Sequence, residues 1–338
     1  MTAKPDRPFD NVVYGATGYT GRLVAEYLSH HYQGKGPKWA MAGRSMAKLA
    51  EVRLSVAAPA DTPLIEANSD DPASMAALAQ STRVVLTTVG PYQLYGEPLL
   101  KACVAAGTDY ADLCGEPAWM RQMIDAYHAQ AQASGARIAF SSGFDSIPFD
   151  LGVLMLQKEA KARFGAPAPR VKGRVRGMAG TFSGGTAASL TETMKAVARN
   201  PKLIPILQSP FGLTPGFEGP SQPKGLVPEY EESVGKWAAP FIMATINTKN
   251  VHRTNFLLGH PLWRRLQIRR DAADQRGRTG PESRACNRRN AQEPVRSQAA
   301  QTRRRSIGRR ARERLLRRAV HRRVPRWPVA ALRSQRPL

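Results

Sequence analysis

From residue 9 to about residue 140, short apolar runs alternate with stretches whose apolar positions recur at helical spacing. Strands are expected at 9–14, 39–42, 64–67, 84–89, 109–111 and 137–140, and helices at 22–30, 74–79, 98–106 and 117–133. The run at 84–89 is apolar or β-branched throughout, which suits a strand buried on both faces. In the helix at 22–30, Leu23, Val24, Tyr27 and Leu28 fall on one face, and Gly107 marks a helix end. Strand–helix alternation of this kind specifies an α/β fold with a doubly wound parallel sheet.

After residue 141 the pattern changes. A turn-rich junction, Gly143-Phe144-Asp145-Ser146-Ile147-Pro148, precedes an apolar helix expected at 151–161. Residues 171–177 alternate apolar and basic side chains, as a half-exposed strand does, and a helix is expected at 187–199. Residues 209–236, rich in Pro and Gly, read as one long loop able to close over a site. A strand at 241–248 and a helix at 251–258 complete a second α/β (α+β) domain.

The first strand runs directly into Gly15-Ala16-Thr17-Gly18-Tyr19-Thr20-Gly21 and then into a helix. Glycines at this spacing, in a strand–turn–helix context, let the backbone approach a pyrophosphate held at the helix N-terminus. This identifies a Rossmann-type nucleotide-binding domain over 1–142, with Gly15, Thr17, Gly18, Tyr19, Thr20 and Gly21 as its phosphate loop. The second strand ends Ala42-Gly43-Arg44-Ser45, with Lys48 one turn into the next helix. An NAD site usually carries Asp or Glu there for the ribose hydroxyls. Arg44 and Ser45 instead suit a 2′-phosphate, so the expected cofactor is NADP.

Thr88, Val89, Gly90 and Pro91 end the fourth strand, where ligands of open α/β sheets bind, and are expected to pass along the cofactor. Tyr92 offers a hydroxyl near the reacting centre or packs in the core. Cys114 and Glu116 occupy the next crest. Cys114 is expected beside the cofactor as a packing residue, and Glu116 reads equally well as an acid in the first turn of its own helix. No tyrosine is followed four residues later by lysine, which excludes the short-chain dehydrogenase proton relay. The sequence also has no G-x-x-x-x-G-K-[ST] loop, G-x-S-x-G elbow or H-E-x-x-H pair.

The formal net charge of +24 suggests a polyanion-binding protein until its distribution is read. Residues 264–338 hold 24 Arg, no Lys and five acids, so the first 263 residues carry 26 bases against 21 acids. Those 263 residues have the balance of an ordinary enzyme. Cys103, Cys114 and Cys286 lack metal spacing, so no metal is expected. No signal-peptide pattern and no long apolar stretch is present, so a cytoplasmic protein without a membrane span is expected.

With Val13-Tyr14-Gly15-Ala16-Thr17-Gly18, Ala42-Gly43-Arg44-Ser45, Val89-Gly90-Pro91-Tyr92, Ala106-Gly107-Thr108-Asp109-Tyr110-Ala111-Asp112-Leu113, the 143–148 junction and Phe182-Ser183-Gly184-Gly185-Thr186, the chain resembles the saccharopine dehydrogenase family. Within it, the resemblance points to the trans-acting enoyl reductases of polyketide lipid synthesis, over about residues 9–262. The resemblance implies an NADPH-dependent oxidoreductase reducing an activated C=C bond of a small-molecule or carrier-bound lipid, with a polyketide synthase as partner and a homo-oligomer as one possible state. Another substrate of the wider family, or an NADP-binding remnant without catalysis, are the alternatives. Tyr92 and Ser183 are the catalytic candidates it suggests.

The resemblance stops at Trp263. Residues 264–338 have no Tyr, Phe or Met and one aromatic, Trp327. A nucleic-acid surface mixes Lys with Arg and adds aromatics, and disordered tails favour Lys, Glu and Ser, so no specific nucleic acid is expected. Arginine without lysine is what a G+C-rich gene yields in another frame. The expectation is a frameshift near residues 262–263, an incomplete substrate domain at 143–262, and a non-native or disordered Arg-rich tail at 263–338.

Overall fold

The computed structural model describes residues 6–32, 36–177, 184–223, 225–261 and 266–273. Six strands form the first sheet: β1 (Phe9–Tyr14), β2 (Trp39–Gly43), β3 (Leu64–Glu66), β4 (Thr82–Thr87), β5 (Asp109–Ala111) and β6 (Ile138–Ala139). Their order is β3-β2-β1-β4-β5-β6 and every pairing is parallel, the doubly wound arrangement the alternation specifies. The order reverses between β1 and β4, which opens a crevice beyond their carboxyl ends.

Side chains alternate across the sheet, and both faces are covered. Val12, Tyr14, Ala40, Ala42 and Val85 join one core with α3 (Pro72–Gln80), α4 (Tyr92–Ala106) and α5 (Pro117–Ser134). Val13 and Met41 join the other with α1 (Tyr19–His31) and α2 (Met46–Ser55). The buried stripe of α1 is Gly21, Ala25, Leu28 and Ser29, whereas Leu23 and Tyr27 of the expected face are about half exposed. Small residues let α1 lie close to β1, and the larger ones turn outward. α4 begins at Tyr92, six residues before the expected start, with Pro98 inside it.

The second region holds α6 (Ile147–Phe164), β7 (Arg170–Val175), α7 (Gly184–Arg199), α8 (Ile204–Gln208), β8 (Glu229–Glu231), β9 (Lys236–Pro240), α9 (Ala244–Leu257) and β10 (Gln267–Ala273). Its sheet order is β7-β10-β9-β8, with β7 and β10 parallel and the other pairs antiparallel. Val153, Val171, Val251, Leu266 and Ile268 form its small core.

Three expectations differ from this arrangement. The strand expected at 241–248 is instead the turn after β9 and the start of α9, because Asn247, Val251 and Asn255 are buried at helical spacing. That spacing was hidden by its polar members. The 209–236 segment contains β8 and is pinned down: Leu213 is fully buried in the first domain's core, and Arg121 and Arg253 donate to the carbonyls of Gly212 and Leu213 at 3.1 and 3.2 Å. It is not a free lid. The boundary expected at 262 falls short of β10, which enters the sheet between β7 and β9 with Leu266 and Ile268 buried. Residues 274–338, most of the expected tail, lie outside the described residues, as does Ser183.

Candidate nucleotide-binding site

The turn after β1 is built around two close approaches. Gly15 has φ +87°, and a Cβ there would lie 2.7 Å from Val89 Cγ2 and 2.9 Å from Thr88 Oγ1. A Cβ on Gly21 would lie 2.1 Å from the Gly15 carbonyl oxygen, so α1 rests directly on the turn. The Gly18 amide donates to Gly15 O at 2.9 Å and closes the loop. Gly18 is the N-cap of α1, no side chain caps this helix, and no acid stands in its first turn. Its first amides, around Thr17, Tyr19 and Thr20, therefore face the crevice able to receive an anion. This turn, which a Cβ at Gly15 or Gly21 would push apart, fits a dinucleotide pyrophosphate.

At the end of β2, Arg44 is exposed and Lys48 projects from α2. Ser45 is the N-cap of α2, its hydroxyl accepting the Lys48 amide at 3.4 Å, which leaves its own proton free to donate. The first turn of α2 has no acid, so Arg44, Ser45 and Lys48 surround a positive corner suited to a 2′-phosphate. The opposite wall is the loop after β3, missed from sequence: Tyr14 hydrogen-bonds Ser69 and feels the charges of Arg44 and Asp70. Burial first, then Asp70, pushes the Tyr14 hydroxyl up. The polar run Asn68-Ser69-Asp70-Asp71 directly after a strand was the available signal.

The crest of β4 lies against the turn. Thr88 donates its amide to Tyr14 O at 3.0 Å, its hydroxyl reaches Gly15 O at 3.2 Å, and the Gly90–Pro91 peptide is cis. Thr88, Val89, Gly90 and Pro91 thus line the crevice side of the loop. Tyr92 does not. It is 5% exposed, its hydroxyl donates to Thr87 O at 3.2 Å and accepts the Leu113 amide at 3.1 Å, and its ring packs on Trp119. Burial and the nearby Asp112 push its hydroxyl far up. Tyr92 joins the β4 and β5 loops from inside, because α4 starts at this residue and turns its ring under the crest.

Cys114, expected at the cofactor, also turns inward. Its thiol is buried and accepts the Glu116 amide at 3.3 Å, and burial with Asp112 holds it protonated. Two buried carboxylates organise this crest. Asp112 accepts the Cys114 and Ser141 amides at 2.9 and 2.8 Å and the Tyr110 hydroxyl at 3.0 Å, and burial raises it to about 7. Glu116 accepts the Tyr92 and Gln93 amides at 2.9 Å each and the Ser189 hydroxyl of α7 at 2.7 Å. It therefore caps α4, not its own helix, and ties α7 to the nucleotide domain. Sequence could not reveal this, since the capped amides lie 24 and 23 residues away.

Among the described residues no cluster could hold a metal ion and no helix is long and apolar enough to cross a membrane. Residues 12–138 match the family model described as the saccharopine dehydrogenase NADP binding domain. A Mycobacterium tuberculosis protein named as a candidate trans-acting enoyl reductase is 43% identical over 276 residues, covering 79% of this chain and 65% of its own. A trans-acting enoyl reductase of Mycobacterium bovis is 40% identical over 263 residues, covering 75% of this chain and 62% of its own. The chain thus spans somewhat under two thirds of the length of these relatives. A solved saccharopine dehydrogenase of Saccharomyces cerevisiae aligns at 12% identity and a TM-score of 0.44, over 80% of this chain and 56% of that one. Residues 12–138, which carry the turn at Gly15–Gly21 and the Arg44 corner, are thus similar to the NADP-binding domain of the saccharopine dehydrogenases.

Proposed function

We propose that this protein is an NADPH-dependent reductase of an activated C=C bond in a lipid or polyketide chain, acting in trans on a carrier-bound substrate of a polyketide synthase. The observation that carries the reading is the 40–43% identity to trans-acting enoyl reductases over three quarters of the chain. NADPH, when bound, supplies a hydride for the β-carbon while the α-carbon takes a proton. The chain's own contribution is orientation. The Gly15 turn and the open α1 terminus hold the pyrophosphate, Arg44 and Ser45 select the 2′-phosphate, and the β4 crest fixes the face presented to substrate. Tyr92 is committed to the Thr87 carbonyl and the Leu113 amide, so proton donation falls to another group.

The test is NADPH absorbance with an enoyl thioester of pantetheine. Oxidation that requires the thioester, with kcat/KM for NADH at least tenfold lower, is the expected result. NADPH binding without thioester-dependent oxidation would replace this reading by an NADP-binding remnant. Oxidation driven by an amino-acid conjugate would assign a different substrate of the same family.

We also propose that residues from about 263 onward are translated from a shifted frame, because 24 Arg and no Lys follow in residues 264–338; β10 is then a strand formed by the shifted sequence. DNA sequencing across codons 262–263 checks this. An intact frame, with close relatives ending in the same Arg-rich sequence, would sink it.

A further inference from the structure

A cavity of about 410 Å³ lies between α5, β6, the start of α6 and α9. That volume falls within the roughly 300–1,000 Å³ of small-molecule sites. Much of its wall is apolar, with Met123, Ile124 and Tyr127 from α5, Leu257 from α9, and Leu213. Into this wall α9 brings Arg253, whose guanidinium is partly buried. It donates to Leu213 O at 3.2 Å and approaches His128 Nδ1 at 3.5 Å. Two of the five N–H donors of a guanidinium thus have partners, both of them neutral.

The charges around it are unequal. Arg121 is answered by Asp125 at 2.8 Å, whereas no carboxylate of the described residues pairs with Arg253. Burial and the Arg121 charge, partly offset by Asp125, pull Arg253 down to about 10, and burial with Arg253 pulls His128 down. Lys249, one turn earlier on α9, is also buried and, among the described residues, bonds to the carbonyls of Leu207 and Thr245. The carboxylate lining the cavity, Asp150, accepts the Thr254 hydroxyl at 2.7 Å. A partly desolvated cation with no direct ion pair among the described residues is costly, and it stands at the edge of an apolar void.

We propose that this cavity binds an anionic amphiphile, with a hydrocarbon body between α5 and α9 and a single acidic head on Arg253. Such a ligand neutralises the guanidinium and fills the void in one step. The inference rests on the cavity alone and stands whether or not the reductase reading holds.

The test is calorimetric titration of the full chain with dodecanoate, and with dodecan-1-ol and dodecyltrimethylammonium as equal-length neutral and cationic probes. Dodecanoate is expected to bind saturably with one site per chain, the alcohol at least tenfold more weakly, and the cation without saturation. Arg253→Met should weaken dodecanoate at least tenfold. Leu257→Glu, at a rim position 53% exposed where folding is not at stake, should weaken it similarly by repelling the head. Equal affinity for acid and alcohol, or dodecanoate binding unchanged in Leu257→Glu, would overturn the proposal.

Discussion

In the parallel-sheet domain, Val12, Val13, Ala40, Met41, Ala42 and Val85 are fully buried between two layers of helices. In the second region the buried apolar cluster is Val153, Val171, Val251, Leu266 and Ile268, while Leu151, Met155, Leu190 and Met194 on α6 and α7 are more than half exposed. The same alternation of apolar and polar positions builds both, and in the first the helices cover each face of the sheet. The first region is therefore held by its own packing. The second leans on it, through Leu213 and Ile246 in the first domain's core and through the Glu116–Ser189 contact.

The largest way to break this contrast is at glycine. Gly21→Ala puts a methyl group 2.1 Å from a backbone oxygen that cannot yield, and should abolish NADPH binding with a loss of several kcal/mol in stability. Chemical denaturation and NADPH fluorescence read both. Normal binding by this variant would show that the turn relaxes.

Next comes Asp112. Its folded-state value, raised by burial, makes the native protein hold a proton that the unfolded chain releases at lower pH, so stability falls as pH rises toward and through about 7. Asp112→Asn keeps the acceptor for the Cys114 and Ser141 amides and should flatten the melting temperature between pH 5 and pH 8. An unchanged slope would locate the titration elsewhere.

Arg44→Ala should weaken NADPH roughly 10- to 100-fold, the loss of a charged hydrogen bond, and leave NADH unchanged. Equal loss for both cofactors would make Arg44 a packing residue. For the join between the regions, Glu116→Gln should cost about 1–2 kcal/mol by weakening the α4 cap, and Ser189→Ala about 1 kcal/mol or less. Hydrogen exchange in α7 should rise in both variants, and protection identical to the parent would mean that α7 is held by other contacts.

The smallest effect is the counterpart of the first. Nothing lies within 4 Å of a Cβ built on Gly152 inside α6. Gly152→Ala should therefore stabilise by about 0.5–1 kcal/mol, the usual helix preference. Destabilisation would reveal a neighbour packed on that face, and the second region would then be less open than described.

The strand–helix alternation of a doubly wound sheet, the glycine turn and the basic residues after the second strand were legible in the sequence because they depend on local backbone geometry and short-range periodicity. A turn that needs φ +87° at Gly15 and no Cβ at Gly21 announces itself in residue types alone. The inward turn of Tyr92 and Cys114, the capping of α4 by Glu116, and the helix begun at Ala244 were decided only in three dimensions. Whether a hydroxyl faces a ligand or a carbonyl depends on which amides and rings the fold brings to it. For Tyr92 those are Leu113 and Trp119, 21 and 27 positions along the chain. Sequence determined what could bind at the crest of the sheet, and the tertiary structure decided which side chains were already taken.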